Sequence, residues 1–450
     1  MAYSQLTLAQ LSAQLGVLLD DQSSLYWTDG YGSAAGDKQY AIWDALRVWG
    51  AYTNYWRTRG TFNLTVGQSF YDLSVVLPAL RTRTWTLDAL CKEIQYMCLE
   101  AANGISGAGM SGQISVGSIL QSIQRARNQF VIDAKFPYTY HSTLAAAGSG
   151  GIVQFPQSSV YVHRASWQDS VSGAWTNLWR EDAWAVDHAD PTWTQTPGAP
   201  VIYSESELSP LEMQLVPAPA GSGTLDALTV DSLQIDITNP NATFAVPDEW
   251  IHAIKFAALQ DIFSAESQNK DDLRAQYAQM RYDQAMNLAR DGRSILRLLY
   301  AGSPLPIDAL QAIDAGMYAW RNQPGPPQMA GVLYDFAAFV PGAPDAAYGV
   351  SADVVQSAPL PTAPTDFIPV GYEDIPHLID YITHVLTFKC GGKEFKDSFA
   401  QYDSFMNAVQ ARGRINAAKI RYLTPLFAQP QKEQAARPDR KEKKGAAQDA

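Results

Sequence analysis

Residues 246–262 read Val246-Pro-Asp-Glu-Trp-Ile-His-Ala-Ile-Lys-Phe-Ala-Ala-Leu-Gln-Asp-Ile262. Proline is tolerated in the first turn of a helix, and acidic side chains there complement the positive end of the helix dipole. Pro247, Asp248 and Glu249 therefore mark a helix start. The apolar residues that follow recur at helical spacing, at Ile251, Ile254, Ala258 and Ile262. The stretch predicts an amphipathic helix packed on a core.

A second predicted helix completes a hairpin with the first. It stops near Asp291-Gly292, and its apolar stripe is formed by Ala278, Tyr282, Ala285 and Ala289. A similar pair of helices is predicted near the C-terminus. Its apolar positions are Ile379, Ile382 and Leu386 on one helix and Phe399, Tyr402, Met406 and Val409 on the other.

The two hairpins share short sequence matches. Ile375-Pro376 matches Val246-Pro247, and Tyr402-Asp403 matches Tyr282-Asp283. In the front half, Arg83-Thr-Trp85 is matched to Arg164-Ala-Ser-Trp167. Self-similarity of this kind indicates a duplicated unit, and the hypothesis is an internal duplication of a helix–hairpin–helix unit.

The remaining segments have weaker patterns. Helices with a short β-hairpin are predicted before residue 150, and short β-type runs alternate with Pro, Gly and Ser clusters over 150–245. Residues 322–371 are rich in Pro, Gly and Ala and have little periodicity. Loops of this length are uncommon inside compact domains unless they are functional. This segment is therefore read as an arm that wraps a neighbouring subunit, with a disordered linker as the alternative.

The predicted fold class is α+β, mainly α: a helical bundle with hairpins, a small antiparallel β region and a long extended arm. The predicted regions are 1–149 (helices with a short β-hairpin), 150–245 (small antiparallel β region), 246–321 (helical hairpin), 322–371 (extended Pro/Gly-rich arm or linker), 372–427 (second helical hairpin) and 428–450 (flexible charged tail).

Composition limits the possible roles. The chain has 450 residues, of which 46% are hydrophobic and 17% charged, as in globular proteins. The net charge of −12 argues against nonspecific attraction to DNA phosphates, although an acidic wall suits a channel through which DNA slides. We expect no signal peptide and no membrane span, because no apolar run approaches ~20 residues. The expected place of synthesis is the host cytoplasm.

The sequence does not predict an enzyme. Gly107-Ala-Gly109-Met-Ser-Gly112 has G-x-G-x-x-G spacing but follows a predicted helix, whereas a dinucleotide site needs a preceding strand. Three cysteines and six histidines lack the spacing of a zinc site or a disulfide framework. No catalytic residue, metal or cofactor is therefore predicted. Paired acids such as Glu181-Asp182 are read as solvated, with a hydrolase as a remote alternative.

Tryptophans crowd into one segment of the β region. Tryptophan is favoured in protein interfaces, and exposed rings also stack on sugars. Three interpretations stay open: a small-sheet core, a subunit interface and a carbohydrate-binding surface. The interface candidates are Trp175, Trp179, Trp184 and Trp193 from this segment, in which Trp167 also lies, and Tyr334, Phe336 and Phe339 from the predicted arm.

Three segments resemble the head-to-tail adaptor and neck (connector) proteins of tailed bacteriophages. They are Ala45–Phe62 with Phe70-Tyr-Asp-Leu73, Asn177–Trp184 with Pro200-Val-Ile-Tyr203, and Pro210–Pro219 with Gly223-Thr-Leu225 and Val246-Pro-Asp-Glu249. Such proteins often show this order of an early helix, a Y-D-L strand, a Pro-bounded hairpin and a P-D-E helix. The match extends over about residues 1–300, and the second hairpin and the arm lie outside it.

The resemblance implies a structural virion protein at the head–tail junction. It implies a homo-oligomeric ring, often twelve-fold, docked under the portal protein and followed by tail proteins. Such a ring continues the DNA channel and makes only passive contact with double-stranded DNA. The alternatives are another tail or nozzle component and a tryptophan-rich carbohydrate-binding protein of the virion.

Overall fold

The computed structural model describes residues 6–32, 35–77, 80, 82–98, 104–105, 114–145, 151–193, 196–205, 211–232, 234–265, 270–291, 294–317 and 319–423. Structural statements below concern these residues. The predicted tail 428–450 and the glycine-rich stretch 107–112 lie outside them.

Helices form where apolar spacing and capping residues agree. The Thr7 side chain accepts a hydrogen bond from the Gln10 backbone N–H, and the Gln10 side chain accepts one from the Thr7 backbone N–H, so the capping box predicted at this site is confirmed. The helices are α1 (Leu8–Leu18), α2 (Asp37–Thr53), α3 (Leu73–Val76), α4 (Leu87–Met97), α5 (Val116–Ala134), α6 (Ala183–Ala189), α7 (Ile251–Ser264), α8 (Asp272–Asp291), α9 (Leu310–Gly316), α10 (Ile375–Phe388), α11 (Gly392–Asp397) and α12 (Phe399–Leu423).

The predicted helix at Pro247 begins four residues later, after a 3-10 turn at Asp248–Trp250. The Asp248 carboxylate accepts backbone hydrogen bonds from Thr84 and Trp85, each at 2.9 Å. Its charge therefore fixes the loop before α4. The apolar stripe of α7 is buried, as its spacing predicts.

Within the described residues, the strands form four sheets of four strands each. They are β1 (Arg57–Asn63), β2 (Phe70–Asp72), β3 (Tyr138–Ala145), β4 (Ile152–Gln154), β5 (Ser159–Asp169), β6 (Trp175–Asn177), β7 (Trp179–Arg180), β8 (Ile202–Glu205), β9 (Glu212–Val216), β10 (Gly223–Asp231), β11 (Ile295–Tyr300), β12 (Ser303–Pro304), β13 (Ile307–Ala309), β14 (Met329–Leu333), β15 (Phe336–Val340) and β16 (Gly349–Val355).

The predicted fold class is wrong. The fold is mixed α/β with four sheets, and not a mainly helical bundle with one small β region. Many strands have only two to five residues, which is too short for a clear alternating pattern. Several also pair with strands far away in the chain: β1 pairs with β16, and β2 pairs with β15. Patterns among neighbouring residues cannot identify strand partners that lie so far away in the chain.

The long extended arm, part of that fold class, is also contradicted. Residues 322–371 contain β14, β15 and β16, and every residue of β15 is buried. The segment after β16 stays on its own chain, where Trp43 Nε1 donates to the Pro361 carbonyl at 2.7 Å and Trp56 Nε1 donates to the Pro369 carbonyl at 3.0 Å. Proline and glycine weakened the strand pattern of this segment without preventing its pairing.

The chain contains two copies of one architecture. Residues 82–291, here called repeat 1, contain sheets of order β3-β10-β5-β6 and β4-β9-β8-β7. Residues 6–77 together with 294–423, here called repeat 2, contain sheets of order β1-β16-β11-β12 and β2-β15-β14-β13. Taken in chain order, each strand of repeat 1 has its counterpart at the same place in repeat 2. Each repeat also has one parallel pair at the same place, β7 with β8 and β13 with β14.

Local details repeat as well. Threonine caps the first helix of each repeat, at Thr86 and at Thr7. The second helix ends in a left-handed residue in each, Lys135 after α5 and Asn54 after α2. A 3-10 turn and a 14-residue helix follow the last strand in each repeat. A duplication is therefore present, and it extends over the whole fold.

Repeat 1 is inserted into repeat 2. It occupies the connection from β2 to β11, whose counterpart in repeat 1 is the short turn between β4 and β5. The first of the two predicted hairpin matches is wrong by five residues, because Ile375-Pro376 aligns with Ile251-His252 and not with Val246-Pro247. The front-half match is also wrong, since Arg83 precedes α4 whereas Arg164 lies in β5.

The core has separate β parts and a shared helical part. The two sheets of repeat 1 enclose one apolar cluster, and the two sheets of repeat 2 enclose another. The helices of both repeats pack into one large cluster. The two repeats are thus held together chiefly by their helices.

Candidate assembly surfaces

The structure separates the tryptophans that the sequence groups together. Trp167 and Trp193 are buried, and Trp193 Nε1 donates to Asp187 at 2.6 Å. Trp175 is partly covered by the Arg321 guanidinium, which lies 3.7 Å from its ring centre. The Trp179 side chain is 48% exposed and that of Trp184 is 84% exposed. Two of the five rings are therefore open to a partner.

Trp179 and Trp184 lie on the edge strand β7 and on the short helix α6. Asp182 caps α6 by accepting a hydrogen bond from the Trp184 backbone at 2.8 Å. Arg180 forms a 3.0 Å ion pair with Glu205. Since the neighbouring Glu181 and Asp187 side chains are also exposed, this surface is aromatic and acidic.

The aromatic residues predicted on an arm lie inside the subunit. Phe336 and Phe339 are buried in β15, and Tyr334 is buried at the turn before it with a positive φ of 54°. The Tyr334 hydroxyl accepts a hydrogen bond from Trp250 Nε1. These three side chains are therefore part of the core and not of an exposed surface.

A buried ionic cluster joins the helices of the two repeats. On α2 of repeat 2, Asp44 pairs with Lys255 at 2.6 Å and Arg47 pairs with Glu93 at 3.1 Å. Lys255 also lies 3.6 Å from Glu93. Arg47 is stacked on the ring of Trp85 at 3.7 Å. All four charged side chains are at most 3% exposed, so each depends on its partners for compensation.

Within this cluster the Asp44 carboxylate is held in its charged form. Burial alone would raise the pKa of Asp44, but the Lys255 ammonium outweighs it and lowers the pKa to about 2. Burial lowers the pKa of the neighbouring His252 to about 3, which keeps its ring neutral. The helical contact therefore combines a charged Asp44–Lys255 pair with a neutral histidine.

A small pocket lies at the same contact. It has a volume of about 30 Å³ and is lined by Asp37, Tyr40, Glu93, Lys255 and Lys389, among others. Such a volume holds about two water molecules.

A second contact between the repeats involves the sheets. On repeat 2, Asp314 of α9 accepts from Arg164 of β5 at 2.6 Å and from Trp320 Nε1 at 2.8 Å. Arg321 pairs with the fully buried Asp226 of β10 at 2.7 Å. The α9 segment of repeat 2 is thereby fixed on the sheet β3-β10-β5-β6 of repeat 1.

In both contacts, the elements that repeat 2 contributes are not the counterparts of those that repeat 1 contributes. To these two contacts repeat 2 contributes α2 and α9, whereas repeat 1 contributes the α4–α7 surface and a sheet. In addition, α8 of repeat 1 packs against α10 to α12 of repeat 2, where Tyr277 contacts Phe395 and Arg281 donates to the Tyr381 hydroxyl. The repeat 1 counterparts of α2 and α9 are α5 and α6. Both present exposed side chains, among them Gln121 and Arg125 on α5 and Trp184 on α6. The two repeats therefore pack head-to-tail and not as a symmetric pair.

Sequence reasoning missed the residues that make these contacts, chiefly Asp44, Lys255, Arg164 and Asp314. One signal was available. In α2 the charged residues Asp44 and Arg47 are interspersed with Ile42, Leu46 and Trp49, and a helix that is apolar on most of its faces is buried on several sides. The sequence does not show which oppositely charged side chains complete the pairs.

In the described residues, no group of three or more His, Cys, Asp or Glu side chains is placed to hold a metal ion. The described helices also include none that is long and apolar enough to cross a membrane. Among known proteins, no family model matches the sequence and no curated protein is similar to it.

Proposed function

We propose that this chain is a structural protein of a tailed-phage particle that forms part of a ring between the portal and the tail. The observation that carries the proposal is the head-to-tail packing of the two equivalent repeats. An interface between two different faces repeats in one direction, and such interfaces generate rings when the rotation closes. A chain that contains one such step suits a role in a ring.

The sequence resemblance supports the same role. Its motif segments have structural positions that suit a rigid assembly unit. The P-D-E motif anchors the loop before α4 through Asp248, and the Y-D-L motif ends β2 with Asp72 capping the short helix α3. These residues stabilise the fold of the unit, and the proposed partners are the portal protein and tail proteins.

A carbohydrate-binding role is a second candidate, favoured by the exposure of Trp184 and Trp179 beside carboxylates. Of the five tryptophans in this segment, these two are exposed enough to stack on a sugar. If this role holds, titration with soluble glycans gives saturable binding that is abolished in Trp184→Ala. A ring subunit without this role shows no saturable glycan binding.

The test of the first proposal is electron microscopy of the protein mixed with the portal ring encoded beside it. We expect a symmetric crown of extra density on the portal. Bare portals with this protein left unattached would overturn a role next to the portal and would favour a more distal tail component.

A further inference from the structure

Helix α5 of repeat 1 is the counterpart of α2, and its residues can be compared with the α2 residues that contact the other repeat. The left-handed residues that end the two helices, Asn54 and Lys135, align each α2 residue with the α5 residue 81 positions later. The α2 positions that contact repeat 1 are Tyr40, Trp43, Asp44 and Arg47. Their counterparts on α5 are Gln121 and Arg125, which are exposed, and Gln124 and Asn128, which are half-buried.

The complementary face is exposed on repeat 2. Its helix α1 is the counterpart of α4, and the capping threonines Thr7 and Thr86 align the two helices with an offset of 79. In α4, Glu93 and Tyr96 contact α2 of repeat 2. Their counterparts are Gln14, which is exposed, and Val17, which is 62% exposed.

The same face continues onto α10. The 3-10 turn and the 14-residue helix that follow the last strand in each repeat align with an offset of 124. Asp248 and Glu249 are buried in repeat 1, but their counterparts Tyr372 and Glu373 are exposed in repeat 2. Lys255 is replaced by the half-buried Ile379. The face therefore remains open and is less charged than the one that is covered.

The sheet contact has matching counterparts too. Arg164 in β5 lies opposite Leu228 of β10, and Arg297 in β11 lies opposite Asp353 of β16. Each arginine lies directly beside the register shift of its strand pair. Arg297 is therefore the counterpart of Arg164. Asp187 is the counterpart of Asp314, because each accepts the indole N–H of a tryptophan six residues later.

The comparison of the two repeats also identifies the residue that the exposed Trp184 would contact in a second copy. Its counterpart in α9 is Gln311, which forms a 2.7 Å hydrogen bond with His163 of β5. The counterpart of His163 in β11 is Leu296, a half-buried residue. In the repeated contact an exposed indole therefore meets an aliphatic side chain, which favours association by burial of apolar surface.

We propose that α5 and α6 of one chain pack on α1, α10 and the β11–β16 sheet of a second copy, in the same arrangement that joins the two repeats within a chain. Asp187 then pairs with Arg297 of the neighbouring copy, Trp184 covers Leu296, and Asn128 meets Gln14. Neutral amides replace the ionic pair Arg47–Glu93 in this contact. The Asn128 Oδ1 already accepts hydrogen bonds from Gln124 and Ser232 of its own chain, whereas a buried charge without a partner would cost more to desolvate.

The contact has a consequence for the number of chains. Each chain supplies two equivalent units to a ring, so a ring of twelve units contains six chains. This number rests on the proposed function and on the twelve-fold symmetry that the sequence resemblance implies. The contact itself does not depend on that symmetry. The six-fold ring would present alternating repeats 1 and 2 to its partners.

Thiol cross-linking tests the contact directly. Gln14→Cys and Asn128→Cys are introduced together, with Cys98 and Cys390 changed to serine, and the protein is treated with a short bis-maleimide, alone and on portal rings. We expect a ladder of covalent oligomers that ends at six chains of 49.3 kDa each. Either cysteine alone should give no product beyond a dimer.

Asp187→Asn, which keeps an acceptor for Trp193, is expected to reduce the higher oligomers by more than about tenfold. Asp190→Asn, on the same acidic surface, is the matched control and should leave the ladder intact. A ladder without an upper limit would retain the contact but overturn the six-chain ring.

The outcomes separate the two proposals. Protein that attaches to portals but yields only monomers overturns the contact and leaves the proposed function standing. A ladder from protein that does not attach to portals supports the contact and overturns the proposed function. Monomers in both conditions, without attachment, refute both.

Discussion

Replacement of Lys255 by methionine should weaken the contact between the two repeats and lower the free energy of unfolding. The Lys255 ammonium lies 2.6 Å from Asp44 and 3.6 Å from Glu93, and these carboxylates are 0% and 3% exposed. Methionine has a similar length and leaves little cavity, so the main effect is the loss of compensation for buried negative charge. Removal of one partner of a buried ion pair costs about 3–5 kcal/mol.

The assay is urea unfolding followed by tryptophan fluorescence at pH 7.5. The matched control is Ile379→Met, because Ile379 occupies the equivalent position on α10 but lacks a buried carboxylate partner. It should change the free energy of unfolding by less than about 1.5 kcal/mol. A loss below about 1 kcal/mol for Lys255→Met would refute the view that this cluster joins the repeats.

The pH dependence gives a second criterion. In the wild type the pKa of Asp44 is lowered to about 2, so its contribution is present above the unfolded value near 3.8 and is lost only as the pH falls toward 2. In Lys255→Met the pKa of Asp44 should rise. The deficit relative to the wild type should then shrink as the pH is lowered and Asp44 takes up a proton in the folded state.

Three further predictions follow from burial. Deletion of 323–370 removes three strands and should abolish cooperative unfolding in a calorimetric scan; a sharp transition would contradict the sheet assignments. Trp320→Ala should cost about 3–5 kcal/mol in urea unfolding because Trp320 is fully buried, whereas the exposed Trp184→Ala should change stability by less than about 0.5 kcal/mol. Burial lowers the pKa of His252 and His384 to about 3, so the unfolded chain binds more protons between pH 6.5 and 3. As the pH is lowered through this window, the free energy of unfolding should therefore fall by about 1.4 kcal/mol per pH unit for each histidine, and an unchanged free energy between pH 6.5 and 5 would show that these rings are not buried and neutral.

Local patterns in the sequence predicted the helices well. Each of α1, α4, α5 and α7 follows an apolar spacing of three and four residues, and α1 begins at the capping box that Thr7 and Gln10 indicate. Such signals lie within one turn or two of the chain. The same locality explains why the hairpin matches revealed a duplication but gave it the wrong register.

The sequence by itself thus determined helix positions, an acidic globular composition and the presence of a repeated unit. Tertiary structure alone decided that repeat 1 is inserted into repeat 2, that β1 pairs with β16 across 286 or more positions of the chain, and that Trp193 is buried while Trp184 is exposed. The physical reason is that strand pairing, ion pairing and burial depend on partners brought together by folding. Asp44 and Arg125 occupy equivalent positions on equivalent helices, yet one is buried against Lys255 and the other is at the surface. The difference lies in which face the other repeat covers.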